Sequence, residues 1–473
     1  MYWQYLDPFL LRRRLWESLV ALHVQPPLFN LYLGAALKTG HERAVFTATF
    51  LVCGLALYAG TFLLMRRLSV SPVVAFALAT WMVASPAFVL YENWLFYSLP
   101  VAALLVGAVL LFDRAARTGR LRDGLAFGLV LLVLCATRSL YHLAYLLAGL
   151  GALALAWRSP RRAMAAGALP VLLLAGLYTK NAALFGHFGA STWTGLNLAR
   201  VTTEALEAGD RARLVAAGTL SPASLLPAFS KPAEYPRAYF DGLPSTRVRA
   251  LYWDQKTTGA ANFNHAVFIP ISRDLLRDGW WVLRHRTGAY LSAVRQGWEI
   301  YFRSPSDLRF LGIGNIAALR PATDAWDVAY FGRWPWPSGS ASGERASPRY
   351  WALVFGLPAV FAFGWATAAG RGPAGRTLDR VQRLVVTLVC FTIAYVALAG
   401  NLLEVGENNR FRFETDPLSV CLLGVLVDRV LVDRWRRRGG SSPIRPSADL
   451  DPLPGSPSGA PGPSGSPAAW PGP

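Results

Sequence analysis

The chain alternates apolar runs with short arginine clusters, and that alternation restricts it to one kind of fold. Runs at about 44–65, 70–88, 94–112, 124–138, 141–157, 163–179, 350–369, 384–400 and 414–433 are mostly apolar, and only the last carries several charges, Glu414 and Asp416 near one end and Asp428, Arg429 and Asp433 near the other. A hydrocarbon core about 30 Å thick is crossed by about 20 apolar residues in a helix, and a helix is one of only two structures that satisfy its own backbone there. Composition agrees. Of the 473 residues 53% are hydrophobic and 16% charged, against about 25% charged in a soluble domain, and the mean hydropathy is +0.31. The expected fold is an all-α polytopic membrane protein with about nine transmembrane helices, multi-pass in the cell membrane. The runs at 124–138 and 141–157 are short, and Arg138-Ser139 divides them, so they read as a tight helical hairpin.

The formal charge of +19 is mostly arginine, and its placement speaks for membrane orientation rather than nucleic-acid binding. One alternating set of loops holds Arg66-Arg67, then Arg114, Arg117, Arg120 and Arg122, then Arg158, Arg161 and Arg162, then Arg371, Arg376, Arg380 and Arg383, and finally Arg434 to Arg438. The short loops of the other set, 85–93, 138–140 and 401–413, are poor in arginine. The positive-inside rule puts the first set in the cytoplasm and the second outside, together with 180–349. Met1 then lies outside, which implies a further hydrophobic helix upstream of it. Residues 8–22 mix apolar and basic positions at helical spacing, as an interfacial helix on the outer leaflet does.

Four regions follow: 1–179, an N-terminal transmembrane module with the first outer loop; 180–349, a mainly helical extra-cytoplasmic domain; 350–438, a C-terminal transmembrane module; and 439–473, a disordered cytoplasmic tail rich in Pro, Gly and Ser. Outer-face juxtamembrane helices accompany the spans. Within the second region 270–303 reads as helix, with Tyr290, Val294, Trp298 and Tyr301 forming a stripe expected to pack, and 331–348 reads as loop. Cys53, Cys135, Cys390 and Cys421 all fall inside apolar runs and read as buried thiols.

Candidate chemistry gathers where charge meets the membrane boundary. The block Gly406-Glu407-Asn408-Asn409-Arg410-Phe411-Arg412-Phe413-Glu414 sets carboxylates beside guanidinium groups between two apolar runs. Charge at such a place faces water or a charged ligand, and arginine pairs with phosphate in two-pronged geometry. Near the N-terminus stand Asp7-Pro8 and His23-Val24-Gln25-Pro26-Pro27-Leu28-Phe29-Asn30. Asp7 reads either as a helix cap or as a group bordering a cavity with His23. Glu92, flanked by Tyr91 and Trp94, reads as an interfacial anchor or a site acid, and Lys180 as a snorkelling or phosphate-pairing cation. The segments 191–197 and 262–265 are polar-aromatic clusters of the kind sugars stack on, or ordinary turns. Neither a phosphate-binding glycine loop nor a zinc motif is present, and no span carries a central acid of the kind ion-coupled transporters use.

The order of these motifs resembles the membrane glycosyltransferases of the C superfamily, in the family related to protein mannosyltransferases and lipid A aminoarabinose transferases. The resemblance rests on an outer Asp7, a following interfacial helix, His23 to Asn30 in place of a contiguous His-Pro-Pro-Leu stretch, an outer loop with Glu92-Asn93, and the 406–414 block. It covers about 1–200 and 350–433. It implies inverting transfer of a sugar from a polyprenyl-phosphate donor to a lipid, glycan or protein acceptor at the outer face. No cofactor is expected, and the sequence offers no convincing carboxylate or histidine cluster for a metal. Asp7 would be the base, with Glu92 and Glu407 orienting hydroxyls. Lys180, Arg410 and Arg412 would bind phosphate, and His23, Gln25 and Asn408 would complete the substrate site. A non-catalytic assembly or scaffold protein, or a transporter or flippase for lipid-linked sugars, is the alternative reading.

Overall fold

The computed structural model describes residues 4–243, 248–308, 311, 313–333, 350–371 and 378–432. The expected tail at 439–473, and most of the loop expected at 331–348, lie outside them. Among the described residues the regular elements are all helical, with two isolated β-bridges. Two short helices, α1 (Pro8–Arg13) and α2 (Leu15–Val20), replace the single interfacial helix expected over 8–22, because Arg14 leaves helical geometry between them. Leu10, Leu11, Leu15 and Leu19 are buried, while Phe9, Trp16 and Val20 stay exposed beside Arg12, Arg13 and Arg14. The surface is therefore amphipathic, as the interfacial reading requires.

Seven further helices follow after α3 (Leu28–Lys38). They are α4 (Glu42–Arg67), α5 (Pro72–Val83), α6 (Pro86–Glu92), α7 (Ser98–Thr118), α8 (Leu121–Thr137), α9 (Leu143–Trp157) and α10 (Pro160–Phe185). Among the described residues four helices are long and apolar enough to cross a membrane: α4, α7, α10 and α18 (Arg380–Leu403). The run read as one span over 70–88 is broken. α5 and α6 meet at a 61° bend, and counting them as one bent span gives five. The break has a local cause. Ser85 caps α6 by accepting a hydrogen bond from Phe88 N at 3.2 Å, and Pro86 occupies the first turn, where its missing N–H costs nothing. The expected hairpin forms from α8 and α9, which pack side by side.

The polar region contributes α11 (Thr194–Val201), α12 (Ala208–Ala216), α13 (Arg249–Tyr252), α14 (Phe268–His285), α15 (Thr287–Tyr301) and α16 (Ile313–Phe331). The helix expected over 270–303 is divided at Arg286. Val294 and Tyr301 of its stripe are buried, and Tyr290 donates to Leu402 O at 3.2 Å, so the stripe packs as expected. A π-helical turn (Ala352–Gly356) leads into α17 (Leu357–Ala368), and α18 and α19 (Asn408–Val427) complete the bundle. No disulfide links the four cysteines; Cys53 is half-buried and the rest buried.

Hydrogen bonds sort the loops into two ends. At one end Gln382 Nε2 donates to Arg67 O (2.8 Å), Arg117 Nη1 to Asp379 Oδ2 (3.2 Å), and Arg380 Nη2 to Leu155 O (2.7 Å). The described parts of the first four arginine-rich loops thus meet one another, and Arg434 to Arg438 lie outside the described residues. The arginine-poor loops meet at the opposite end, where the polar region lies over them and holds the N-terminal segment: Thr192 N donates to His23 O (2.9 Å), and Asn264 Nδ2 to Ala21 O (3.2 Å).

Candidate functional site

At that second end a cavity of about 450 Å³ opens between α18, α19, the α8–α9 hairpin and the polar region. Its size falls within the range of small-molecule sites, about 300–1,000 Å³. Three guanidinium groups line it, from Arg138, Arg200 and Arg410, and two carboxylates, Glu404 and Glu407. Tyr97, His142, His187 and Gln25 add polar groups, while Trp193, Phe229 and Phe411 add aromatic surface.

Helix geometry explains why only part of the 406–414 block reaches this cavity. The stretch 401–413, expected as an outer loop, is mostly helix: α18 runs to Leu403 and α19 begins at Asn408. Asn408 closes the turn, donating to Asn401 Oδ1 and Glu404 O, each at 2.9 Å, and accepting from Gly406 N at 2.9 Å. It is fully buried and holds backbone rather than an open site. Glu407 and Arg410 are three apart, on one face, and pair at 2.6 Å. The Arg410 guanidinium lies over Phe96 (4.8 Å) and Phe411 (5.2 Å), and its Nη1 reaches Tyr97 Oη at 3.5 Å.

Arg412 departs from expectation. Two residues on from Arg410 it projects to another side of the helix. It donates to Tyr301 O (2.6 Å) and pairs with Asp416 (3.3 Å). Asp416 borders a different, apolar cavity of about 270 Å³ between α5, α6, α16, α17 and α19. Asp327 lies in the same wall, and burial pushes its carboxyl up to about 6. Arg410 and Arg412 therefore cannot grip one phosphate together.

Several other expected site residues sit away from the polar cavity. Asp7 is 3% exposed and fully engaged: Oδ1 accepts from Phe9 N (2.7 Å) and Thr257 Oγ1 (2.8 Å), and Oδ2 from Thr257 N. It caps α1 and clasps the 254–262 loop. His23 is fully buried, with Nδ1 2.7 Å from Thr192 Oγ1 and Nε2 3.1 Å from Asn264 O. Burial lowers its pKa to about 3, so it stays neutral and joins chain segments. Lys180 donates to Val20 O (3.1 Å) and Leu22 O (2.8 Å), supplying the C-terminal end of α2 with a cation. Glu92 leans on α4, where its Oε1 lies 2.4 Å from the point a Cβ on Gly54 would occupy. Gln25 does line the cavity, and Ser139 Oγ donates to it at 3.4 Å. The cluster 262–265 is turn structure, with Asn262 donating to Ala250 O and Trp253 O.

Sequence reasoning passed over Arg138, Arg200 and Glu404. Arg138 was read only as an interruption of two apolar runs, yet an arginine in that position is itself a signal. It is 3% exposed, pairs with Glu414 and lies 4.5 Å over Phe411. Tyr141 donates to the other oxygen of Glu414 at 3.2 Å. Arg200 pairs with Glu404. Burial raises the Glu404 carboxyl above the usual range, the Arg200 charge opposes this, and Glu407 adds to it. Around the cavity each guanidinium thus has a carboxylate partner, and an arriving anion competes for it. Among the described residues no group of three His, Cys, Asp or Glu has a metal-holding arrangement. No family model, curated protein or solved structure matches the chain.

Proposed function

We propose that the chain is a membrane glycosyltransferase that moves a sugar from a polyprenyl-phosphate donor to an acceptor hydroxyl at the outer face of a nine-span bundle. One observation carries this: Arg138, Arg200 and Arg410 converge with Glu404 and Glu407 on a single cavity at the helix ends. Guanidinium groups bind the donor phosphate and stabilise the charge that grows on the leaving oxygen. In the reaction the acceptor oxygen attacks the anomeric carbon from the face opposite the phosphate. The bond from that carbon to the phosphate oxygen breaks, the electron pair leaves with polyprenyl phosphate, and the acceptor proton passes to a carboxylate.

That carboxylate is Glu404 rather than Asp7. Glu404 lines the cavity, and its burial strengthens its hold on a proton, which suits a general base near neutral pH. Glu407 keeps the role of orienting hydroxyls, and Asp7 becomes structural.

The prior pairing of every guanidinium favours a second reading, a non-catalytic assembly protein in which Arg138–Glu414 and Arg200–Glu404 only fasten the hairpin and polar region to the α18–α19 corner and Glu407–Arg410 only braces the first turn of α19. Calorimetric titration of the full chain in nanodiscs with farnesyl phosphate separates the two. The enzyme reading expects binding that weakens with salt, and Arg410→Ala should lower the affinity more than tenfold, at about 1.5–3 kcal/mol for a charged hydrogen bond. No binding by the unaltered chain would leave the assembly reading in its place.

A further inference from the structure

The 191–201 segment has a role that the phosphate chemistry does not use. Of its residues only Thr194, Asn197 and Arg200 remain open to solvent. Their spacing of three places them along one stripe of α11, and all three line the polar cavity. Packing turns that stripe inward. α11 lies so close on α14 that a Cβ at Gly195 would stand 1.8 Å from Ser272 O, and one at Gly279 2.7 Å from the Leu198 side chain. Helices seldom approach this closely without glycine at the contact, so the orientation of α11 is fixed from behind.

The wall so presented is uncharged apart from Arg200, which Glu404 neutralises. The Asn197 carboxamide makes no hydrogen bond to any described residue, leaving two donors and an acceptor to the cavity. Beside it stand Trp193 and Phe229, whose ring centroids are 5.0 Å apart in edge-to-face contact. The Trp193 indole N–H is buried with no acceptor among the described residues. Trp193 is 2% exposed and backs this wall, so the half-buried Phe229 supplies its aromatic surface. That surface, next to a free amide and the Thr194 hydroxyl, matches a ring that has apolar C–H faces and an edge of hydroxyl groups.

We propose that the α11 wall is a subsite for a neutral sugar ring, distinct from the arginine groups that receive phosphate. The proposal rests on reading the cavity as a glycosyl-transfer site, and it gives the ligand a carbohydrate half. The ring belongs either to the donor or to a glycan acceptor.

The test is saturation-transfer NMR on the full chain in nanodiscs, with methyl glycosides of mannose, glucose and galactose as probes. At least one glycoside should show transfer to its ring protons. Asn197→Leu should lower its affinity about fivefold, the value of one net hydrogen bond, while farnesyl phosphate binding stays unchanged. Farnesyl phosphoryl mannose then assigns the ring. Displacement of the glycoside places the subsite on the donor side, and joint binding places it on the acceptor side. Absence of transfer from all three glycosides, or equal transfer in Asn197→Leu, overturns the proposal. If farnesyl phosphate still binds in that case, the phosphate reading stands alone. If glycosides bind and farnesyl phosphate does not, the phosphate reading falls and the sugar wall remains.

Discussion

Arg138, at the break between α8 and α9, and Glu414, in the second turn of α19, form an ion pair whose side chains are only 4% and 0% exposed. Neither group has water to fall back on. Removing one partner from such a pair costs about 3–5 kcal/mol, whereas replacing both with apolar residues is often neutral. Glu414→Gln and Arg138→Met should therefore each destabilise the protein by roughly that amount, and Arg138→Met/Glu414→Leu should recover most of the loss. Chemical unfolding in detergent measures all four proteins. Additive losses in the double variant would show that the two groups do not act as a pair.

Arg410 tests the phosphate row in a second way. Lysine keeps the charge but loses the fork that bridges Glu407 and the Tyr97 hydroxyl. Arg410→Lys should weaken farnesyl phosphate binding by about tenfold, equivalent to about 1.4 kcal/mol, and leave the helix content by circular dichroism unchanged. Full retention of affinity would remove Arg410 from the site.

His23 makes stability depend on pH. Burial holds its folded pKa at about 3, against 6.5 for the free group. Between those values the unfolded chain binds the extra proton, so stability rises with pH and is lost as acid is added. One such group changes the slope by up to about 1.4 kcal/mol per pH unit. His23→Gln should flatten the decline in unfolding free energy below about pH 6.5. An unchanged slope would mean that His23 does not control it.

Asp7 separates a cap from a catalyst. Its oxygens already accept from Phe9 and Thr257. Asp7→Ala should cost about 0.5–2 kcal/mol, the worth of an N-cap, and speed proteolysis in the 254–262 loop, with farnesyl phosphate affinity unaltered. Wild-type stability and loop protection, together with abolished sugar transfer, would return the base role to Asp7.

Orientation is open to direct labelling. Ala208 is exposed at the start of α12, and Ser456 lies in the C-terminal tail. With Cys53, Cys135, Cys390 and Cys421 changed to serine, Ala208→Cys should react with a membrane-impermeant maleimide in intact cells, and Ser456→Cys only after permeabilisation. The reverse pattern would invert the proposed topology.

Of the nine expected spans, four stand as long apolar helices, or five with the bent α5–α6 pair, and these were legible because their signal is additive: most residues of 98–112 or 384–400 favour the same environment. The arginine loops were legible for a similar reason, and hydrogen bonds such as Gln382 to Arg67 gather them at one end. Two details were hidden by the same averaging. A hydropathy window passes over Ser85-Pro86, although a cap followed by proline is a helix start. The crowded charges of 406–414 read as loop, although Glu407–Arg410 and Arg412–Asp416 sit at the helical spacings of three and four. Arg200 and Glu404 could not be joined from sequence, because the contact that links them is tertiary.

That spacing also binds two chambers to one reading frame. Arg410 and Phe411 line the polar cavity, while Phe413 and Asp416 line the apolar one, so α19 is the partition between them. Each residue added to a helix turns everything beyond it by ~100°. One alanine inserted between Phe413 and Glu414 would part Glu414 from Arg138 and carry Asp416 out of reach of Arg412. Length variation that a loop absorbs without harm is barred here, and a single-codon insertion in this turn should abolish folding where the same insertion at Gly242, in an exposed turn, is tolerated.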